Sequence, residues 1–302
     1  MNSLYKRPEL KDLDLPLGKR VRLHRLLYKH GPGNGRMMVL PIDQGVEHGT
    51  YNFFGNPPSK YPRYQYELAL HGGYNAIACH YGFASKYFRD YAGEVPLILK
   101  LNGRSSIPSD DEAFSSLIST VEDAARIGAE AVGYTLYVGS PRQDEDIAQL
   151  CEVRQECETL GMPLIVWAYP RGTAVNAKGG RDSFYAVDYA ARLSEECGAD
   201  IVKVNFPKID PAKDAFAPAP FNTLKVTEEE ALRQAVESAG RAFVLLSGGS
   251  KISDSDLLDK VRLGIRCGAT GLIFGRNMWL RPMEEALAMS AKVRAILLEE
   301  KA

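Results

Sequence analysis

Residues 200–206 read Asp-Ile-Val-Lys-Val-Asn-Phe, a pattern typical of a short parallel strand that is buried on both faces. Side chains alternate between the faces of a strand, so Val202 and Val204 share one face. Ile201 and Lys203 share the other face, which places an amine in an apolar strand. A buried, unpaired ammonium tends to lose its proton, and neutral lysine attacks carbonyl carbon. The pattern predicts a Schiff-base lysine at Lys203, or else a lysine that pairs with a carboxylate or reaches water.

Seven further segments have strand character and alternate with helical patterns along the chain. The predicted strands are residues 38–43, 76–80, 97–101, 131–137, 164–169, 200–206, 243–247 and 271–274. The predicted helices are residues 110–127, 144–160, 182–197, 228–239, 253–267 and 283–298. Glycines typical of helix C-caps follow several of them, at Gly128, Gly161, Gly198, Gly240 and Gly268. Eight strand-helix repeats favour an α/β fold of the closed (β/α)8 barrel type, and no early strand is followed by the Gly-x-Gly-x-x-Gly turn of a Rossmann fold.

The composition is ordinary for a soluble globular protein. The chain has 302 residues, of which 45% are hydrophobic and 25% charged, and its formal net charge is -1. No apolar run approaches the ~18 residues that a membrane span needs, and the charge gives no general reason to expect nucleic acid. We therefore expect a barrel domain at residues 37–302 after an N-terminal extension at residues 1–36, with a small molecule as ligand and neither membrane nor nucleic acid as partner.

The N-terminal extension combines several lysines and arginines with Val21, Leu23, Leu26 and Leu27. This spacing predicts a short amphipathic helix that closes the barrel floor and exposes a solvated basic face. The first residues lack the apolar core of a signal peptide. The five cysteines include no Cys-x-x-Cys pair, and the five histidines show no His-Glu-x-x-His spacing. We expect a cytoplasmic protein without disulfides or a bound metal.

The first predicted strand ends at Asp43, and Gln44, Glu47 and His48 follow in the next loop. Active sites of (β/α)8 barrels lie at the carboxyl ends of the strands. A carboxylate at this position can act as a general base or orient a substrate hydroxyl. The alternative is that Asp43 caps the loop through hydrogen bonds to the local backbone.

The fifth predicted strand places Ile165, Trp167 and Tyr169 on one face. If this face points inward, the two aromatic side chains form one wall of a pocket, and the Tyr169 phenol is available for proton transfer. Filling of the barrel core is the alternative role, particularly for Trp167.

Lys100 competes with Lys203 for the role of the reactive amine. It lies on the third predicted strand and shares a face with Asn102, as Lys203 shares a face with Asn205. Spacing along the sequence leaves the choice between the two lysines open.

The loops after the seventh and eighth predicted strands are rich in glycine. They contain Ser247, Gly248 and Gly249 after one strand, and Gly275 and Arg276 after the other. Barrels often bind phosphate at these two loops through backbone N–H groups, which glycine allows to approach closely. A single Gly-Gly pair is weak evidence, but two such loops with an arginine predict a phosphate site.

Several motifs taken together resemble the archaeal-type class I fructose-bisphosphate aldolase family, which also occurs in bacteria. In chain order they read Asp-Gln-Gly-Val-Glu-His-Gly, Trp-Ala-Tyr-Pro-Arg-Gly, Ile-Val-Lys-Val, Ser-Gly-Gly and Gly-Arg-Asn, and the resemblance covers residues 37–298. It implies a barrel enzyme that cleaves fructose 1,6-bisphosphate to dihydroxyacetone phosphate and glyceraldehyde 3-phosphate, a reaction of glycolysis and gluconeogenesis. It also implies a homo-oligomer that needs neither a metal nor another cofactor.

The resemblance assigns the Schiff-base lysine to Lys203, the catalytic aspartate to Asp43 and the Trp-x-Tyr pair to Trp167 and Tyr169. It thereby favours Lys203 over Lys100.

We expect Lys100 to line the substrate site as a cation. One substrate phosphate is expected at the loops after strands seven and eight. The other is expected at Arg171 or near His48.

Two features of the chain leave the substrate open. Residues 207–226 form an insert rich in Pro and Ala after the sixth strand, longer than is expected of the shorter archaeal members. It borders the site and is a candidate lid or determinant of substrate scope. Heptulosonate synthases and a thiolase-like member share the barrel and the lysine. A non-catalytic barrel that binds a sugar phosphate is a further alternative, disfavoured by the joint presence of Lys203, Asp43 and Tyr169.

Overall fold

A computed structural model describes residues 5–112 and 114–299, with the side chain of Gln44 excepted. The first four residues of the predicted extension and the last three of the predicted barrel domain lie outside this part. Its strands are β1 Met37–Pro41, β2 Ala76–His80, β3 Leu97–Lys100, β4 Ala131–Val138, β5 Leu164–Pro170, β6 Ile201–Val204, β7 Phe243–Ser247 and β8 Gly271–Ile273. Its α-helices are α1 Leu17–Tyr28, α2 Gln44–Glu47, α3 Pro62–His71, α4 Tyr81–Tyr87, α5 Val121–Arg126, α6 Gln143–Leu160, α7 Thr173–Asn176, α8 Phe184–Glu196, α9 Pro211–Asp214, α10 Glu228–Ser238, α11 Asp254–Arg266, α12 Arg276–Trp279 and α13 Met283–Glu299.

The strands form a closed parallel barrel in sequence order, with β8 paired to β1. The predicted (β/α)8 barrel is therefore confirmed. Alternate residues of each strand belong to two separate apolar clusters. Residues such as Val39, Ile165 and Ile201 fill the lumen, whereas Val202 and its equivalents pack under the surrounding helices. This alternation sends Lys203, in phase with Ile201, into the barrel.

The prediction of one helix over residues 110–127 is wrong for most of its length. Only Asp110–Glu112 forms a 3-10 turn, and α5 begins at Val121. Residues 114–119 lie against the segment after β3, where Ile118 N donates to Leu101 O at 2.7 Å and the Asn102 amide donates to Ser115 O at 3.0 Å. The segment has helical periodicity in its sequence, but hydrogen bonds to residues distant in the chain hold it in a non-helical conformation.

Helix α1 closes the barrel floor, as predicted, with Leu23, Leu26 and Leu27 in the lumen cluster. The helix approaches the barrel very closely, because a Cβ atom added to Gly18 would lie 2.8 Å from the Cα atom of Gly161. Any larger residue at position 18 would collide with the backbone of Gly161, the residue after α6, so glycine is required there.

The expectation of a fully solvated basic face on α1 is wrong at Lys19. Its side chain is 1% exposed and its Nζ atom lies 2.6 Å from Glu158 and 2.9 Å from Asp200. Asp200 directly precedes β6, and its carboxylate also accepts a hydrogen bond from Leu164 N at 2.8 Å. The basic residue thus connects α1 to the strands that carry the inward-facing amine and the aromatic pair.

Lys19→Met should destabilise the fold, because it leaves the Asp200 carboxylate buried without its cation. Removal of one partner from a buried pair costs about 3 to 5 kcal/mol. Chemical denaturation should show this loss, whereas Lys29→Met, an exposed position next to the same helix, should change stability little. Equal stability of the two variants would contradict a structural role for the Lys19 pair.

Candidate active site

The carboxyl ends of the strands surround a polar lumen that lies above the apolar filling of the barrel. Side chains in phase with the lumen cluster supply its polar groups, and nearly all are buried. In chain order they are Asp43, His80, Lys100, Thr135, Tyr137, Trp167, Tyr169, Lys203 and Ser247. The side chains at the carboxyl ends of the predicted strands therefore share one lumen.

Lys203 extends from β6 into this lumen and is 4% exposed. Its Nζ atom lies 4.8 Å from the centre of the Trp167 ring and 5.2 Å from that of Tyr169. No side chain that the structure describes forms a hydrogen bond or ion pair with this amine. The two alternatives for Lys203, a paired lysine and a lysine with its head in water, both disagree with this geometry.

Burial lowers the pKa of Lys203 from 10.5 to about 8. The carboxylates of Asp43 and Glu47 oppose this change, and the cations of Lys100 and Arg276 add to it. With such a pKa, roughly one in ten Lys203 amines is neutral at pH 7. A fraction of the Lys203 amines is therefore in the neutral form that attack on a carbonyl carbon requires, far more than at an ordinary lysine pKa of 10.5.

Lys100 differs from Lys203 because it is paired. It is completely buried, and its Nζ atom lies 3.0 Å from Glu47 Oε1 and 3.0 Å from Asn102 O. Burial would raise the pKa of Glu47, but Lys100 and Lys203 hold it at about 2. The geometry thus separates two lysines that the sequence left equivalent, because Lys100 lies in an ion pair and Lys203 does not. The expected substrate contact of Lys100 stays a prediction.

Asp43 follows β1 and is 3% exposed, and its Oδ2 atom is buried without a hydrogen-bond partner in the described part of the chain. The loop is held by the backbone instead, since Asp43 O accepts from Val46 N at 3.3 Å and from Glu47 N at 3.4 Å. This argues against the alternative in which the carboxylate caps the loop. One turn later, Glu47 also accepts from Thr135 Oγ1 at 3.3 Å.

Trp167 is completely buried and fits the lumen because β4 has no side chain opposite its ring. A Cβ atom at Gly133 would lie 2.5 Å from Trp167 Cζ3. Tyr169 is half-buried next to the mouth, with the Arg171 guanidinium 5.1 Å from its ring centre. Burial raises the pKa of Tyr169 well above 10, so its phenol keeps its proton. Both aromatic residues contact the Lys203 amine.

The glycine-rich loops after β7 and β8 are joined by Asn277, a residue that the sequence analysis did not select. Its Nδ2 atom donates to Gly248 O at 2.9 Å and to Ser250 O at 3.1 Å, and its Oδ1 accepts from Ile252 N at 2.9 Å. Gly249 has a φ of 62°, which favours glycine. One buried amide thus fixes the shape of both loops.

Ser247 and Arg276 lie on these loops next to the lumen. The Ser247 hydroxyl donates to Asn205 Oδ1 at 2.5 Å. Gly275 directly precedes α12, which begins at Arg276. Arg276 is half-buried and has no carboxylate partner among the described residues, and its charge lowers the pKa of Lys203. A free cation beside a glycine-rich turn suits an anionic group.

Arg171 and His48 follow different strands: Arg171 comes directly after β5, and His48 comes after β1, which is paired with β8. The Arg171 guanidinium donates to Pro170 O at 2.8 Å and covers Tyr137, 5.7 Å from its ring centre. Burial lowers the pKa of His48, and the charges of Arg276 and Arg171 lower it further against the opposing effect of Glu47. His48 is therefore within the electrostatic reach of both arginines.

The predicted insert at residues 207–226 packs next to the end of β6. Lys208 pairs with Asp182 at 3.3 Å, and the Phe221 ring lies 4.9 Å from Phe184 and 5.4 Å from Tyr185. The insert is thus attached to the start of α8. Its role as a lid or as a determinant of substrate scope stays a prediction.

Sequence reasoning did not select Glu47, His80, Tyr137 or Asn277 as site residues. A signal existed for His80, which follows Ala76 and Ala78 on the inward face of β2. Glu47 stands one helical turn after Asp43, and its proximity was visible in the motif. The position of Asn277 between two loops had no sequence signal.

Comparison with known proteins identifies the relatives of this chain. The family described as DeoC/LacD family aldolase matches residues 37–281. The chain belongs to this aldolase family.

A curated relative, fructose-bisphosphate aldolase class 1 of Halobacterium salinarum, is 35% identical over 88% of this chain and 92% of its own length. The enzyme of the same name from Thermoproteus tenax is 36% identical over 82% and 84%. Among solved structures, an archaeal fructose-1,6-bisphosphate aldolase with its catalytic lysine bound to a carbinolamine intermediate has a TM-score of 0.77 and 32% identity, covering 91% of this chain and 99% of that one. An aldolase from Slackia heliotrinireducens has a TM-score of 0.83 and 26% identity, covering 98% and 93%.

Among residues 5–112 and 114–299, no helix is both long and apolar enough to cross a membrane. No group of three or more His, Cys, Asp or Glu side chains in residues 5–112 and 114–299 has the arrangement of a metal site.

Lys203→Met should stabilise the protein at pH 7, because burial of the amine costs free energy. A folded-state pKa of about 8 against an ordinary 10.5 corresponds to a penalty of ~3 kcal/mol. Because folding lowers the pKa of this base, burial of the charged amine destabilises the folded state. The destabilisation is complete below pH 8 and disappears as the pH rises past 10.5. Denaturation curves of wild type and variant should therefore converge at high pH.

The matched control is Lys178→Met, which removes an exposed lysine after α7. It should change stability little at either pH. A loss of stability in Lys203→Met at pH 7 would instead indicate a structural lysine.

Proposed function

We propose that this protein is a class I, Schiff-base-forming aldolase that cleaves fructose 1,6-bisphosphate, or forms it, through an imine on Lys203. The observation that supports this most directly is the unpaired, buried Lys203 amine with its pKa of about 8. The relatives named fructose-bisphosphate aldolase class 1 support the substrate.

The reaction begins with attack of neutral Lys203 on the C2 ketone. Loss of water from the carbinolamine gives a protonated imine, which accepts the electrons of the C3–C4 bond. Lys100 assists through its charge, since its pairing with Glu47 keeps it beside Lys203 without competing for the ketone. Trp167 forms the wall against which the amine and the imine lie.

Cleavage requires a base at the C4 hydroxyl, and Asp43 has a buried oxygen available for this proton. The C3–C4 electrons move to the imine as the aldehyde forms, which leaves an enamine on Lys203. Tyr169, which stays protonated, supplies the proton to C3 and exchanges protons during imine formation. Hydrolysis then returns the water and releases dihydroxyacetone phosphate.

The two phosphates would bind at opposite parts of the rim. Backbone N–H groups around Ser247, Gly248 and Gly249, with Gly275 and Arg276, suit one of them. Arg171, or the rim near His48, suits the other.

As a fructose-bisphosphate aldolase, the protein would serve glycolysis and gluconeogenesis in the cytoplasm. We also propose a homo-oligomer, as expected from the resemblance.

Borohydride trapping with dihydroxyacetone phosphate tests the function directly. Peptide mapping should find the reduced adduct on Lys203, and Lys203→Met should abolish both adduct and turnover because no amine remains at the ketone. Lys178→Met should trap as wild type does. An adduct on Lys100, or persistent trapping in Lys203→Met, would reject this assignment.

Lys100→Met should keep trapping at Lys203 but lose rate at neutral pH. The change removes a cation that lowers the pKa of Lys203 and leaves the Glu47 carboxylate, which raises it. The acidic, ascending limb of the pH–rate profile, which follows deprotonation of Lys203, should therefore move upward from about pH 8. An unmoved profile would show that Lys100 does not tune the amine.

Tyr169→Phe should lower kcat by about 10² to 10⁴ in a folded protein, because the ring remains and one proton donor is lost. The control Tyr185→Phe removes a phenol outside the barrel and should keep normal turnover. Reduced stability of Tyr169→Phe with unchanged kcat would assign Tyr169 to the core instead.

A further inference from the structure

His80 is a buried imidazole that the proposed chemistry does not use. It ends β2, in phase with Ala76 and Ala78 of the lumen cluster, and is 7% exposed. Neither of its ring nitrogens has a partner of full hydrogen-bond geometry in the described part of the chain, although the Lys100 backbone lies close enough to act on the ring. It precedes α4 as the N-cap residue, yet its side chain makes no capping hydrogen bond. Buried polar atoms are usually hydrogen-bonded, so unpartnered nitrogens facing a lumen indicate contact with a ligand.

The surroundings of His80 keep its ring neutral. Burial and the Lys100 cation lower its pKa to about 4, although Asp43, Glu47 and the Lys100 backbone act in the opposite direction. A neutral imidazole offers one N–H donor and one acceptor. A hydroxyl group can accept the first and donate to the second, whereas carbonyl and dianionic phosphate oxygens can only accept.

The position of His80 selects one hydroxyl of the sugar phosphate. In the closed barrel, β2 lies opposite β6, the strand that carries Lys203. If C2 is at Lys203 and the C4 hydroxyl is at Asp43, the next carbon of the chain extends away from β6 and toward β2. Space for the ring is maintained by Gly103, where a Cβ atom would lie 3.0 Å from His80 Cε1.

We propose that His80 binds the C5 hydroxyl of the six-carbon substrate, and that it thereby selects aldehydes with a hydroxyl group next to the carbonyl. This inference rests on the proposed aldol function. In the synthetic direction, C5 corresponds to C2 of glyceraldehyde 3-phosphate, so the residue determines which aldehyde is accepted by the enamine on Lys203.

The test measures condensation of dihydroxyacetone phosphate with two aldehydes. One is D-glyceraldehyde 3-phosphate, and the other is 3-phosphooxypropanal, which lacks only the hydroxyl in question. Wild type should prefer the first by about tenfold or more in kcat/KM. His80→Phe should lose most of this preference by slowing the first reaction, with little change in the second.

Two further variants make the comparison specific. His80→Gln restores a donor and an acceptor and should recover part of the preference. His71→Phe, the same change at an exposed position at the end of α3, should keep the full preference. If His80→Phe does not fold, His80→Met removes the same two nitrogens with a more flexible side chain.

The readout distinguishes this inference from the function on which it rests. Borohydride trapping with dihydroxyacetone phosphate involves no C5 atom, so all His80 variants should trap at Lys203. Failure of wild type to trap would reject the aldolase function. Normal trapping with the same aldehyde preference in wild type and His80→Phe, or with no preference in wild type, would overturn the role of His80 alone.

Discussion

The burial of the Lys203 amine beside the Glu47–Lys100 ion pair is the interaction on which the candidate site depends. Lys100 and Lys203 share the lumen with the carboxylates of Glu47 and Asp43, and burial of these charges at close range is costly unless they are paired. Lys100 forms an ion pair with Glu47 at 3.0 Å, whereas Lys203 lies against aromatic rings and forms no ion pair with a described residue. The difference in pairing leaves the Lys203 amine free for the proposed attack on a carbonyl carbon, whereas Lys100 is held by Glu47.

The backbone makes this division of roles possible. Asp43 O accepts from the first amides of the following turn, which brings Glu47 back over the lumen. On β4, Gly133 leaves room for the Trp167 ring, and Thr135 hydrogen-bonds Glu47 from the same face. The chemistry of the site therefore depends on residues that never need to contact a substrate.

Residues at the floor of the barrel hold the amino-terminal end of β6, the strand that carries Lys203. Lys19 binds Asp200, immediately before β6, and Asp200 in turn accepts from Leu164 N at the start of β5. Strands β5 and β6 carry Trp167, Tyr169 and Lys203. A buried ion pair beneath the barrel thus fixes the register of the two strands that bring the amine and the aromatic rings together.

The sequence by itself determined the barrel, because strand alternation, glycine caps and helical periodicity are local properties. It also determined that Lys203 shares a face with Ile201, and Trp167 with Ile165 and Tyr169, since a two-residue period sets the face of each strand. Only the tertiary structure decided which lysine is paired, because Lys100 and Glu47 are 53 residues apart in the chain. The environment of the His80 nitrogens and the contact of residues 114–119 with the segment after β3 also depend on neighbours distant in sequence. Burial and long-range hydrogen bonds form only when folding brings those neighbours together.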